Sequence, residues 1–197
     1  MLVLVAGAGV PAAAGPLEDG IAAYNRGDVK TALKLWQPLA DAGNADAQVN
    51  IGVLHANGEG VPQSYPEALG WYRKAADQGD VYALNNLGLM YMRGQGVAAS
   101  DRMAVTLYRQ AADRNFAPAQ FNLATMYAQG RGADLDKAEA YKWLTLAMAA
   151  YGPEDDDKRG DAEDLLARLV KDMTVDETTE GERRAQAWKP LAPAKPK

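Results

Sequence analysis

The chain has 197 residues, of which 48% are hydrophobic and 24% charged, with a formal net charge of −5. This is globular composition for one domain with a tail, and it argues against a disordered chain or a broad surface for nucleic-acid phosphates. The absence of Cys excludes disulfides, thiolate nucleophiles and Cys-based zinc sites, and a single His leaves little material for imidazole chemistry.

Residues 1–14, MLVLVAGAGVPAAA, carry no charged side chain; the first charge is Glu18. An apolar run followed by Ala12-Ala13-Ala14 has the layout of a secretory signal cleaved after Ala14, although no Lys or Arg precedes it. The run is shorter than the roughly 20 apolar residues that cross a bilayer, so no membrane span is expected in the mature chain. Export to a bacterial periplasm is the expectation, with a cytoplasmic protein bearing an N-terminal arm as the alternative.

From residue 45 the sequence repeats. Blocks 45–80, 81–116 and 117–152 align without a gap, opening ADAQVNIGVLHANGEGV, VYALNNLGLMYMRGQGV and APAQFNLATMYAQGRGA. Ala47, Ala83 and Ala119 coincide, as do Asn50, Asn86 and Asn122 and the pairs Gly58/Gly60, Gly94/Gly96 and Gly130/Gly132. Positions 47, 51, 54, 55 and 58 have helical spacing, which predicts a first helix ended by the Gly-x-Gly, because Gly enters the left-handed C-cap conformation without a Cβ penalty. Ser64-Tyr65-Pro66-Glu67 predicts a second helix opened by a capping box, a spacing repeated by Asp136 and Glu139. Small residues at 52, 88 and 124 let helices approach closely, and Trp71 and Trp143 are expected to fill the space between them. Such a hairpin cannot bury its apolar face alone, so the units must stack.

The pattern A-x-x-N-L-G-x-M-Y-x-x-G-x-G-V, followed by W-Y-x-x-A-A-x-x-G, resembles the Sel-one-like repeat (SLR) family, relatives of the tetratricopeptide repeat. The likeness covers the three blocks and extends more weakly to residues 17–44. There Tyr24-Asn25-Arg26-Gly27 and the stretch from Trp36 to Gly43 resemble a helix pair whose loop is four residues shorter, as in a tetratricopeptide unit. The resemblance implies an all-α, right-handed α-solenoid of about four units, with residues 15–44 as the first. Its concave surface would hold a protein or peptide partner, without cofactor or metal. It also implies a non-catalytic adaptor, in many bacterial members exported and connected with the envelope.

Residues 153–190 read as capping helices. EDDDKRGDAEDLLARLVKDM is amphipathic, with Leu165, Leu166, Leu169 and Met173 on one side, and GERRAQAWKP reads as a short helix carrying Trp188. Residues 154–182 hold twelve acidic and four basic side chains, the polar outer face that a terminal repeat requires, or else an attractor for a basic partner. The last residues, 191–197, are Pro-rich and expected to be unstructured.

No residue pattern points to chemistry. His55 stands where sibling blocks have Tyr91 and Tyr127 and reads as a packing residue. Ser64 and Ser100 sit at helix N-caps, and neither is followed by Lys three residues on, as a serine–lysine site requires. The Gly-x-Gly pairs lack the Lys-Ser/Thr of a phosphate cradle. Asp155 and Asp157 lie in a run that reads as solvated, where nothing would separate two pKa values.

For partner binding, the face of each first helix opposite its core stripe comprises Val49, Val53 and Ala56; Asn85, Leu89 and Met92; and Phe121, Thr125 and Ala128. This face reads as a peptide groove or, equally, as the surface along which neighbouring first helices pack. Met92 and Phe121 are its strongest anchors. Asn50, Asn86 and Asn122 flank it and either read a peptide backbone or fix the repeat geometry, while Arg93 and Gln129 lie one turn beyond, placed to meet an acidic group. Two other classes remain in view: a cell-wall or β-lactam hydrolase, known among cysteine-rich members of the family, and a glycan-binding module.

Overall fold

The computed structural model describes residues 15–192, which fall into two compact units, 15–99 and 100–192. The signal-like segment 1–14 and residues 193–197 lie outside the described residues. Unit one contains α1 (Pro16–Asn25), α2 (Val29–Asp41), α3 (Ala45–Asn57), α4 (Tyr65–Ala76) and α5 (Val81–Arg93). Unit two contains α6 (Asp101–Ala112), α7 (Ala117–Gln129), α8 (Lys137–Ala150), α9 (Asp156–Lys171) and α10 (Val175–Ala187). Among the described residues there is no strand. Helices pair within hairpins (α1 with α2, α3 with α4, α7 with α8), and each hairpin in unit one packs on the next through α2 with α3 and α4 with α5.

Helix starts follow local chemistry. The side chains of Asp28, Asn44, Ser64, Asp80, Ser100 and Asp136 each accept a hydrogen bond from the backbone N–H three residues on, at 2.7–3.3 Å. The expected capping boxes at Ser64 and Asp136 are half-formed. The Ser64 and Asp136 N–H groups instead donate to the carbonyls of His55 (2.9 Å) and Tyr127 (3.3 Å), tying each loop to the helix it leaves. The one complete box is at Thr174 and Glu177, and it starts α10 six residues earlier than the sequence reading placed it. Helices α3, α5 and α7 end on Gly58, Gly94 and Gly130 in the left-handed conformation, as the spacing predicts.

The second glycine of each pair has a different task. A Cβ on Gly60 would lie 2.8 Å from Val29, one on Gly96 2.7 Å from Tyr65, and one on Gly132 2.3 Å from the Asp101 carbonyl oxygen. Val29, Tyr65 and Asp101 are the first residues of α2, α4 and α6, so every loop rests its backbone on the start of the preceding second helix. The residue between the glycines adds a polar contact to the preceding hairpin, at the same helix start in the second and third loops and on α1 in the first. Glu59 accepts from the Tyr24 hydroxyl (2.7 Å), Gln95 donates to the Tyr65 hydroxyl (3.0 Å), and Arg131 makes a two-pronged ion pair with Asp101 (2.8 and 3.0 Å).

Inside each hairpin of unit one an aromatic ring lies on a helical glycine. A Cβ on Gly20 would meet the Trp36 ring at 2.2 Å, and one on Gly52 would meet Tyr72 at 2.5 Å. Trp36 therefore matches Tyr72, not Trp71, and its indole N–H donates to the Leu17 carbonyl (3.1 Å). Trp71 is only half-buried, with the Lys74 ammonium 3.8 Å above its ring, whereas Trp143 is buried.

The two kinds of glycine constraint separate experimentally. Gly132→Ala should cost more than about 3 kcal/mol in a urea unfolding titration, because the new methyl meets backbone that cannot move aside. Gly27→Ala, also left-handed but with no heavy atom within 4 Å, should cost only about 1–2 kcal/mol.

Candidate functional site

The candidate partner-binding residues divide by burial. On α3, Val49, Val53 and Ala56 are buried, as is Asn50. On α5, Asn85, Asn86 and Leu89 are buried, Met92 is half-buried and Arg93 is exposed. On α7, Phe121, Asn122, Thr125 and Ala128 are half-buried and Gln129 is exposed. In unit one the first-helix face is thus closed over α3 and most of α5, with only the last turn of α5 accessible; in unit two accessible side chains remain on α7. Asn50, Asn85 and Asn86, like Val49, Val53, Ala56 and Leu89, lie where a partner cannot reach them without displacing packing.

Asn86 has a structural neighbour in the preceding hairpin. Burial pushes the Tyr72 hydroxyl pKa far up, and a hydrogen bond with the Asn86 side chain on α5 partly opposes that rise. One residue therefore links α5 to α4 at the ring that sits on Gly52. Two buried glutamines that the sequence reading passed over act similarly. Gln48 donates to the Ala40 carbonyl (3.1 Å) and Gln120 to the Ala112 carbonyl (3.2 Å), each satisfying the C-terminal end of the helix before it. Gln78 in turn donates to the Gln48 side-chain oxygen (2.9 Å). Their spacing of two blocks was the available signal; Leu84 interrupts it in the middle copy.

Polar side chains weighed for chemistry are engaged structurally. The Ser64 and Ser100 hydroxyls receive backbone N–H bonds at 3.3 and 3.2 Å. Asp155 pairs with Lys158 and Asp156 with Arg159 in the exposed first turn of α9. Among the described residues no group of three His, Cys, Asp or Glu side chains is arranged to hold a metal.

Two charged features stand out. Along unit one, burial raises the Asp46 carboxyl pKa and the charge of Glu18 adds to it; burial likewise raises Asp80, with Asp46 adding to it against the hydrogen bond from the Ala83 amide. In unit two, a cleft of about 470 Å³ lies between the starts of α8 and α10, lined by Asp134, Asp136, Lys137, Asp176, Glu180 and Arg184. Partial burial pushes the Asp136 carboxyl up, but hydrogen bonds from Arg184 and the Glu139 amide hold it below the usual range. Hydrogen bonds from Arg183 and Arg184 bring Glu180 down to about 2.

Asn86→Ala should lower stability by about 1–3 kcal/mol in urea unfolding. Combined with Tyr72→Phe, the loss should fall short of the sum of the single losses by about 1 kcal/mol, the signature of a direct pair. Asp80→Asn should stabilise the protein at neutral pH, since Asn fills the equivalent cap at Asn44 and removes a desolvated charge. An acid whose folded pKa is raised destabilises above its folded pKa and ceases to do so as pH falls below its unfolded value. The gain in thermal midpoint should accordingly vanish as pH falls through the carboxylate range.

A family model described as the Sel1 repeat matches residues 17–44, 45–80, 81–116 and 117–150. The crystal structure of a Sel1 repeat protein from Oxalobacter formigenes is similar at 31% identity and a TM-score of 0.65, over 73% of this chain and 59% of that one. The crystal structure of c5321, described as a protective antigen of uropathogenic Escherichia coli strains displaying an SLR fold, is similar at 22% identity and a TM-score of 0.58. That likeness covers 88% of this chain and 44% of c5321. No curated protein matches the sequence. The chain spans under two thirds of the length of both solved neighbours, and its all-helical repeats place it in the α-solenoid class.

Proposed function

Because the chain belongs to the Sel1 repeat family, whose repeats generally mediate protein interactions, we propose that it is a non-catalytic scaffold holding a protein or peptide on the inner face of its first helices. The observation that carries this reading is the distribution of exposure along those helices. The repeat positions that could read a backbone, Asn50 and Asn86, are spent inside unit one, while in unit two α7 keeps Phe121 and Asn122 half-buried and Gln129 exposed. Phe121 supplies an aromatic anchor, and Asn122 and Gln129 supply amides that both donate and accept. An extended or helical segment lying along α7 would meet an apolar centre with a polar margin, the anatomy of a small interface.

An envelope location fits this reading. Residues 1–14 have the layout of an export signal, and no helix among the described residues is long and apolar enough to cross a membrane. The description of c5321 as a protective antigen suits an exported relative. A hydrolase acting on the cell wall or on β-lactams would need a nucleophile, and the serine hydroxyls at 64 and 100 cap helices.

The test places a photo-crosslinking amino acid at Gln129 in the full chain and irradiates it in native envelopes. A defined protein adduct that falls roughly tenfold when Phe121→Ala is added supports the scaffold reading. Adducts indifferent to Phe121 would contradict the assigned face. Turnover of nitrocefin that is lost with Ser64→Ala or Ser100→Ala would replace the scaffold with a hydrolase, and salt-resistant binding to isolated peptidoglycan would replace it with a glycan-binding module.

A further inference from the structure

Helix α10 adheres to unit two by contacts unlike those within and between the hairpins. Gly181 is its one buried residue, and a Cβ there would meet the Tyr141 ring of α8 at 2.8 Å. The remaining attachment is largely ionic. Arg184 donates to Asp136 (2.8 Å) and Glu139 (3.1 Å) on α8, and its Nε donates to Glu180 on α10 (2.8 Å). These groups are partly solvent-exposed. At the far end Trp188 meets Trp143 edge to face, ring centroids 5.9 Å apart, and the Leu191 N–H donates to the Asp113 carbonyl (2.7 Å). At the near end the Lys137 ammonium bonds the carbonyl of Asp172, the first residue of the three-residue turn 172–174 that joins α9 to α10.

Beside those carboxylates, the part of α8 that α10 covers is aromatic. Trp143 is only 1% exposed, and its indole N–H donates to Glu139 (2.9 Å), the same carboxylate that receives Arg184. A polar helix that buries one glycine thus lies over an aromatic face built by Tyr141 and Trp143. Segments with few buried apolar contacts open locally at lower free energy than the core they cover.

We propose that α10 is a releasable strap, clasped by Arg184, that opens on the 172–174 turn without unfolding the repeats and uncovers Tyr141 and Trp143 on α8. Partly exposed ion pairs weaken as ionic strength rises, so the strap is more salt-sensitive than the hairpin contacts, which apart from the Arg131–Asp101 pair rest on apolar groups, backbone and uncharged hydrogen-bond donors. This inference does not depend on which partner the α7 face holds.

Hydrogen exchange read by mass spectrometry on the full chain tests it, comparing wild type at about 0.05 M and about 1 M salt with Arg184→Ala at low salt. In wild type, α10 amides should exchange faster than those of α7. Raising the salt and removing Arg184 should each speed α10 about fivefold while leaving α7 unchanged. Exchange of α10 in step with α7 overturns the strap, because it would then be one cooperative body with the repeats. An α10 rate unmoved by salt or by Arg184→Ala overturns the clasp. The α7 signal in the same spectra shows whether the variant has unfolded globally.

Discussion

The fold depends on a close approach that recurs in all three Gly-x-Gly loops: the second glycine lies on the first residue of the preceding second helix. Val29 with Gly60, Tyr65 with Gly96 and Asp101 with Gly132 are each 31 residues apart, so one geometric relation sets the spacing of successive hairpins. The side-chain contacts beside it differ in chemistry and placement, being the Tyr24 hydroxyl of α1 on a carboxylate, an amide on the Tyr65 hydroxyl and a guanidinium on the Asp101 carboxylate. Only the glycine is common to all three. The close approach of the glycine is the constraint, on a side-chain methyl at Val29 and on backbone at Tyr65 and Asp101, and the polar pair beside it varies.

Within that frame, burial is supplied by neighbours. Tyr72 fills the space above Gly52, Asn86 reaches its hydroxyl from the next hairpin, and Gln48 and Gln120 satisfy carbonyls of the helix before. A polar group buried without such a partner would cost about 1–3 kcal/mol, which explains why amides rather than aliphatic side chains stand at these positions. Along the first helices Asn50 and Asn86 are buried, whereas Asn122, in the last of the three copies, is only half-buried.

Much of this was legible in the sequence. The 36-residue register, the helix ends at Gly58, Gly94 and Gly130 and the caps at Ser64, Ser100 and Asp136 follow from local backbone chemistry that residue type dictates. What escaped depended on contacts distant in sequence. Trp36 aligns by eye with Trp71, yet its partner Gly20 puts it at the Tyr72 position, because α1 is capped by Arg26 with Gly27 one residue beyond, whereas Gly58 is itself the cap of α3. Trp71 and Trp143 share a column but not an environment, since Trp143 has Trp188 against it. The capping box at Thr174 was present in the residues, but the Gly181 that seemed to open the helix instead lies in its middle, where it permits close approach to Tyr141. Accessibility of Asn50, Asn85 and Asn86 could not be read from helical angle alone, because that angle says which way a side chain points and not what stands in front of it.

Nearest-neighbour burial as the source of stability is tested most directly by circular dichroism on one isolated block, a peptide of residues 45–80. Deprived of the hairpins on either side, it should show little helix in water and no cooperative thermal transition. A peptide that folds to the helix content of α3 and α4 and melts cooperatively would show that each hairpin is stable by itself, contradicting the account.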